Sequence, residues 1–160
     1  MKLTASLSSL IGLAALTAPG LAQQPQAPPP PMSFFTTSIG LGDGAKLGGL
    51  SGADAHCQKL AAAAGRGAAS WRAYLSQAPG GGLPQVNARD RIGQGPWYNA
   101  AGVVIAWNLE DLHEDRNNVR KYTALDEKGA EVKGRGDDVN HHDMLTGSDS
   151  TGRLIPGDAA

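Results

Sequence analysis

Only one cysteine, Cys57, occurs in the sequence, so no disulfide can form within the chain. Aromatic residues are also scarce, at 5% of the total. With so few large rings available, the three tryptophans are expected mainly in the core rather than on a sugar-stacking platform. No excess of basic charge is present, because 14 Lys and Arg residues face 15 Asp and Glu residues. A binder of nucleic acid needs a basic face, so nucleic acid is not an expected partner.

A long unbroken apolar run is lacking as well, and residues 1–22 come closest to one. They contain one positive charge, Lys2, then an apolar stretch at residues 10–16, then Pro19 and the small residues Gly20 and Ala22. A membrane-spanning helix needs about 20 consecutive apolar residues. The order of parts instead predicts a cleavable signal peptide at residues 1–22, and hence a secreted or periplasmic protein with no transmembrane anchor.

Residues 23–32 begin with the tract QQPQAPPPP, which contains no large apolar side chain. Such a tract cannot nucleate a core and predicts an extended, polyproline-type linker. A proline-rich docking motif is the alternative. Residues 33–160 then provide enough chain for one domain.

The clearest helix is predicted at residues 51–64, with Ser51 as its N-terminal cap and Gly65 closing it. Its apolar face is made of small residues and Cys57, which predicts close packing with the thiol facing the core.

Short strands are predicted at residues 34–39 and 71–76, and a further apolar run lies at residues 103–107. Residues 109–140 are polar and predict loops with one hairpin around Lys128 and Gly129. One good helix among short strands indicates the α+β class.

Five motifs then occur in a recognisable order: ADAHCQKLAAAAG at 53–65, WRAYLS at 71–76, VNARDRIG at 86–93, PWYNAAG at 96–102 and TGSDSTGR at 146–153. Together they resemble the endostatin-like branch of the C-type lectin fold, found in collagen endostatin domains and in secreted bacterial lectin-like proteins. The resemblance covers residues 34–154. It implies a twisted antiparallel sheet with one main helix and long loops.

In the family that the chain resembles, the cysteine of the helix forms a disulfide with a cysteine near the end of the domain. Cys57 matches the first of these cysteines, and the second has no counterpart in this chain. The resemblance therefore implies either a domain truncated at its C-terminus, which we favour, or one that has lost the bridge.

The family also implies ligand classes. Its calcium-dependent sugar site requires a Trp-Asn-Asp strand, but Leu109 follows Trp107 and Asn108. Calcium-dependent binding is therefore not expected. Endostatin domains bind heparan sulphate through arginines, and Arg89 and Arg91 fall in the matching region. Ion pairing with neighbouring acids such as Asp90 is the alternative role for these two arginines.

The densest polar cluster is DDVNHHD at residues 137–143, which also overlaps the integrin-type tripeptide RGD at 135–137. Its candidate ligand-binding residues are Asp137, Asp138, Asn140, His142 and Asp143. Such a cluster could hold zinc or calcium, or supply a general base to a hydrolase. A solvated loop is the alternative, since the spacing matches no metal motif.

These features predict a non-enzymatic, exported recognition domain that needs no cofactor. Its ligand would be a glycan or an extracellular protein surface, bound through the loops between Leu109 and Asp143. The alternatives are a metal-dependent hydrolase centred on residues 137–143 and a structural envelope protein.

Overall fold

The computed structural model describes residues 27–44, 46–141 and 143–157. Within them lie helix α1 (Gly49–Ala63), a 3₁₀ turn (Ala88–Asp90), strands β1 (Trp97–Tyr98) and β2 (Val104–Ala106), and helix α2 (Leu109–His113). The predicted α+β class is confirmed. The predicted signal peptide and residues 23–26 of the linker lie outside the described residues.

Helix α1 begins two residues earlier than the sequence predicted and is not capped by Ser51. The cap is Gly48, with φ 76°, and the hydroxyl of Ser51 donates back to the Gly48 carbonyl at 3.5 Å. Gly48 and the next residue, Gly49, have positive φ, so glycine rather than a hydroxyl side chain makes the entry into the helix.

The end of α1 was predicted correctly. Gly65 adopts the left-handed conformation with φ 75°. Its amide bonds the Ala62 carbonyl at 3.0 Å, and the Arg66 amide bonds the Ala61 carbonyl at 2.8 Å. This pair of bonds is the Schellman motif, which satisfies carbonyls that the helix leaves without partners. As expected, the buried face is made of small residues, Ala53 and Ala61.

The sheet is small and antiparallel, with Trp97 opposite Ala106 and Tyr98 opposite Val104. Its buried residues form the core together with partly buried neighbours: Trp97, Ile105 and Ala106, against Phe34, Ile92, Leu109 and Leu112. Helix α2 follows β2 directly. The side chain of Asn108 accepts from the Asp111 amide at 2.8 Å and so caps α2, which the sequence analysis had not predicted.

Two predicted strands are wrong in their extent. Residues 34–39 make a single bridge, from Thr36 to Asp126, and residues 71–76 are not a strand. The Phe34 amide bonds the Tyr98 carbonyl in β1, whereas the amides of Trp71 and Ala73 bond side chains of α1. Neither segment forms a continuous ladder with a partner strand. The predicted hairpin around Lys128 is reduced to one antiparallel bridge, from Leu125 to Glu131.

The tryptophans do not all lie in the core. Trp97 is buried, Trp71 is partly buried, and Trp107 is 60% exposed. Trp107 immediately follows β2, and its ring lies nearly perpendicular to that of Tyr98, with centroids 6.4 Å apart.

The proline tract reaches the domain surface before the predicted linker ends. A Cβ on Gly102 would lie 2.9 Å from the Cβ of Pro29, so this proline is packed closely against the β1–β2 turn. Met32, the last residue of the predicted linker, is 5% exposed. Packing therefore begins at or before Met32. No helix among residues 27–44, 46–141 and 143–157 is long and apolar enough to cross a membrane.

Candidate functional site

An apolar groove of about 1060 Å³, which we call the central groove, lies among the described residues. Its walls come from six parts of the chain: residues 33–44, the middle of α1, residues 70–75, residues 91–97, residues 112–119 and residues 143–150. Sites for organic ligands and peptides have this character, with mainly hydrophobic walls and a few polar groups. The groove is therefore the candidate binding site.

One wall of the groove is held in place by an ion pair. Arg91 Nη2 lies 2.7 Å from Asp54 Oδ2, and the two side chains are 10% and 28% exposed. Both also bind the backbone of Ala73: Arg91 Nη1 donates to its carbonyl at 2.9 Å, and its amide donates to Asp54 Oδ1 at 2.8 Å. The pair thus fixes residues 71–75 against α1.

The aromatic part of the groove lies beside this wall. The Trp71 and Phe35 rings meet edge to face, with centroids 4.8 Å apart. Trp71 is held by two further bonds, because its amide donates to Gln58 Oε1 at 3.0 Å and its indole N–H to the Arg66 carbonyl at 2.9 Å. The indole face is therefore preorganised.

A tyrosine–histidine pair lies farther along the groove. His113 Nδ1 is 2.7 Å from the Leu109 carbonyl, which can only accept, so Nδ1 carries the proton of the neutral ring. His113 Nε2 then accepts from the Tyr74 hydroxyl at 2.8 Å. Burial raises the pKa of Tyr74 to about 12, so its hydroxyl stays protonated. Both ring nitrogens are engaged, and the pair joins residues 71–75 to α2.

Gly152 completes this packing. A Cβ there would lie 2.3 Å from His113 Nε2 and 2.7 Å from the Tyr74 hydroxyl, and its φ is 77°. Only glycine fits in this position, so the TGSDSTGR segment closes over the tyrosine–histidine pair.

Cys57 lines the groove from α1 as a partly buried free thiol. Burial, and next the Asp54 carboxylate, raise its pKa to about 11. A nucleophilic cysteine needs a lowered pKa, because the thiolate is the reactive form. Cys57 is therefore poorly suited to nucleophilic catalysis.

The residues of the predicted polar cluster make internal contacts. Asp137 Oδ1 accepts from Lys121 Nζ at 2.7 Å and its Oδ2 from the Gly134 amide at 2.7 Å. These hydrogen bonds hold the pKa of Asp137 below its ordinary value. The Asp138 carboxylate pairs with Lys133 at 2.8 Å. Asn140 is exposed and also has an interaction of its own.

The lysine contacts of Asp137 and Asp138 bear on the two roles predicted for the cluster, integrin-type recognition and metal binding. Integrin-type recognition uses a free aspartate, whereas Asp137 is engaged by Lys121. His142 lies outside the described residues. In the rest of the chain that the structure describes, no group of three or more His, Cys, Asp or Glu side chains is placed to hold a metal ion. Asn108, which belongs to the incomplete calcium motif, accepts from the Asp111 amide and caps α2.

The predicted ligand-binding residues do not lie together in the structure. Arg91 and Asp143 both line the central groove, but Arg89, Asp137, Asp138 and Asn140 do not. Arg89 donates from Nη1 to the Thr151 carbonyl at 2.8 Å, so it supports the TGSDSTGR segment. Neither arginine pairs with Asp90, which accepts from Asn87 at 2.8 Å.

Sequence reasoning missed the groove itself. Its most exposed apolar residues are Leu41, Val119, Met144 and Leu145. They lie in polar or glycine-rich stretches, far apart along the chain, so no periodic pattern connects them. Comparison of the chain with models of protein families, with curated proteins and with solved structures gave no match.

Proposed function

We propose that this chain is an exported, non-enzymatic recognition domain of the endostatin-like, C-type-lectin-like class. It binds a glycan or an extracellular protein surface. The observation that carries this proposal is the central groove, because a large apolar groove with preorganised aromatic walls is a binding feature. Leu112, His113, Val119 and Asp143 contribute to it from the loop region expected to bind.

Two further observations support a role without catalysis. Two candidate nucleophiles of the groove, Cys57 and Tyr74, have a raised pKa and remain protonated at neutral pH. The acids of the polar cluster, Asp137 and Asp138, are paired with lysines. A hydrolase centred on residues 137–143 is thus the weaker proposal.

Binding in the groove is tested by placing a charge on it. Leu145 is 71% exposed, so Leu145→Asp should fold normally while opposing apolar contact. We expect the purified wild-type domain to bind members of a glycan array or a panel of extracellular proteins, and Leu145→Asp to bind the same ligand about tenfold or more weakly.

The matched control is Leu83→Asp, because Leu83 is 59% exposed and does not line the groove. It should bind like the wild type. Equal weakening by both substitutions would refute the groove as the site, and a folded wild-type protein that binds nothing on either array would refute the recognition function.

Export is tested separately. The full chain, expressed in a bacterium, should be recovered outside the cytoplasm with Gln23 as its first residue, as read by mass spectrometry of the intact protein. Protein that stays in the cytoplasm and retains residues 1–22 would contradict this part of the proposal. Lys2→Glu should slow export, because signal peptides use a positive charge before the apolar stretch.

A further inference from the structure

The segment 33–38 on one wall of the groove has the hydrogen-bonding pattern of a strand edge. From Phe34 onward every second amide is bonded to the body of the domain: Phe34 to the Tyr98 carbonyl at 2.9 Å, Thr36 to the Leu125 carbonyl at 2.9 Å, and Ser38 to Glu127 Oε2 at 3.1 Å. The amide of Ser33, where the segment begins, shares the Tyr98 carbonyl at 2.9 Å. The intervening amides, of Phe35 and Thr37, bond to no group in the described part of the chain. In an extended segment, amides alternate in direction, so those of Phe35 and Thr37 point away from the bonded side.

The bonded side of this segment is firmly held. The Glu127 side chain is fully buried, and its carboxylate accepts from both the amide and the hydroxyl of Ser38, the latter at 2.5 Å. Burial alone would raise the pKa of Glu127, but the hydrogen bonds from Ser38 and from the Glu127 amide, together with the charge of Lys128, lower it overall. The carboxylate therefore stays charged and anchors the segment.

Residues 71–74 show the same alternation. The amides of Trp71 and Ala73 bond to the side chains of Gln58 and Asp54 on α1. Among the described residues, the amides of Arg72 and Tyr74 find no partner. Two segments with open alternate amides thus line one groove.

The apolar residues of the groove favour a peptide over a sugar. Leu41, Val119, Met144 and Leu145 are each at least 39% exposed and line it. Sugar hydroxyls placed against aliphatic side chains would lose hydrogen bonds to water without replacement. Apolar side chains of a peptide would gain from the same contact.

We propose that the central groove binds an extended segment of an extracellular partner protein by β-strand addition. The open amides of Arg72 and Tyr74 donate to the main chain of the added strand, and its alternate side chains, which are apolar, enter the groove. This inference rests on the proposed recognition function and names its ligand class.

The probe is a phage-displayed library of peptides of about eight residues, long enough for a strand, with apolar and polar positions alternating. A library of the same composition with apolar residues in pairs is its control. We expect the alternating library alone to be enriched on the purified domain. N-methylation of every second amide in a selected peptide should abolish binding in one register and leave it intact in the other.

Variants of Arg72 separate the backbone from the side chain. Arg72→Pro removes an open amide, whereas Arg72→Ala leaves it, and both lose the same 3.4 Å contact of the side chain with the Arg91 carbonyl. We expect Arg72→Pro to weaken peptide binding about tenfold and Arg72→Ala less than about threefold. If Arg72→Pro does not fold, the N-methylated peptides provide the test.

The possible outcomes distinguish strand addition from the recognition function on which it rests. Glycan binding that Leu145→Asp removes, without any peptide binding, would overturn strand addition and leave the recognition function standing. A folded domain that binds neither ligand would overturn both. Dimerisation of the domain alone, lost in Arg72→Pro, would assign the groove to a second copy and overturn the partner protein as its occupant.

Discussion

At the scale of single residues, several polar side chains in the interior are bonded to the backbone of distant segments. Asp54, Asn99 and Glu127 are examples, since each binds amides or carbonyls of another part of the chain. Among the described residues, every buried polar side-chain atom has a hydrogen-bond partner. These bonds compensate for the loss of contact with water, so each polar residue in the interior has a structural role.

Cys57 gives a test at this scale. With its pKa raised from 9.0 to about 11, the folded protein holds about 100-fold less thiolate at pH 8 than the unfolded chain. A thiolate of higher pKa is more nucleophilic, which offsets about tenfold of this difference. We expect iodoacetamide to label native Cys57 about tenfold more slowly than in urea, as followed by mass spectrometry. Equal rates would contradict the burial of the thiol.

The same shift has a consequence for stability. Because the folded pKa is the higher one, the unfolded chain loses its proton first as the pH rises. The contribution of the thiol to stability is complete below pH 9.0 and decreases toward pH 11. Cys57→Ser should lack this decrease when the urea midpoints of the two proteins are compared.

At the scale of elements, glycine and close backbone approach decide where α1 begins. Gly52 lies in the first turns of α1, and a Cβ there would lie 2.0 Å from the Leu47 carbonyl oxygen. Helix propensity alone predicts that alanine at an interior helix position stabilises by about 1 kcal/mol relative to glycine. The neighbouring backbone reverses that expectation.

We therefore expect Gly52→Ala to lower the free energy of unfolding by about 2 kcal/mol, as measured by urea denaturation. Gly40→Ala is the control, since nothing lies within 4 Å of a Cβ there and its φ is not positive. That variant should change stability by less than about 0.5 kcal/mol. A stabilised Gly52→Ala protein would show that Leu47 does not pack against the helix in this way.

At the scale of the whole molecule, a small hydrophobic core is supplemented by hydrogen bonds and ion pairs between residues that are distant in sequence. Nine hydrophobic residues are buried among those described, and four of them are alanine. The pair Arg91–Asp54 joins positions 37 apart in sequence and also fixes Ala73, so it connects α1, the 3₁₀ turn and the groove wall. Its loss should affect the whole domain.

Arg91→Met should lower the free energy of unfolding by about 2 kcal/mol, because it leaves Asp54 half-buried without its partner. Arg116→Met is the matched control. Arg116 pairs with Asp111 and Glu114 but is 64% exposed, so water already screens its charge. Its loss should have an effect below about 0.5 kcal/mol. A similar decrease in the free energy of unfolding in both variants would refute the stabilising role of the Arg91–Asp54 pair.

The sequence by itself determined the features that depend on local order. The α+β class, the closure of α1 by Gly65 and the apolar run at residues 103–107 follow from periodicity and from the conformational freedom of glycine. The helix start was missed because Gly48 and Leu47, rather than Ser51, shape it. The strands at 34–39 and 71–76 were overestimated because alternation in the sequence does not reveal whether a partner strand exists.

Only the tertiary structure revealed the central groove, the candidate binding site. Leu41, Val119 and Leu145 look like isolated loop residues in the sequence, and folding brings them to one groove. Asp137 and Asp138 look like free ligands, and folding places Lys121 and Lys133 on them. The physical reason is the same in each case: these contacts join residues distant along the chain, and local sequence carries no information on which distant groups will meet.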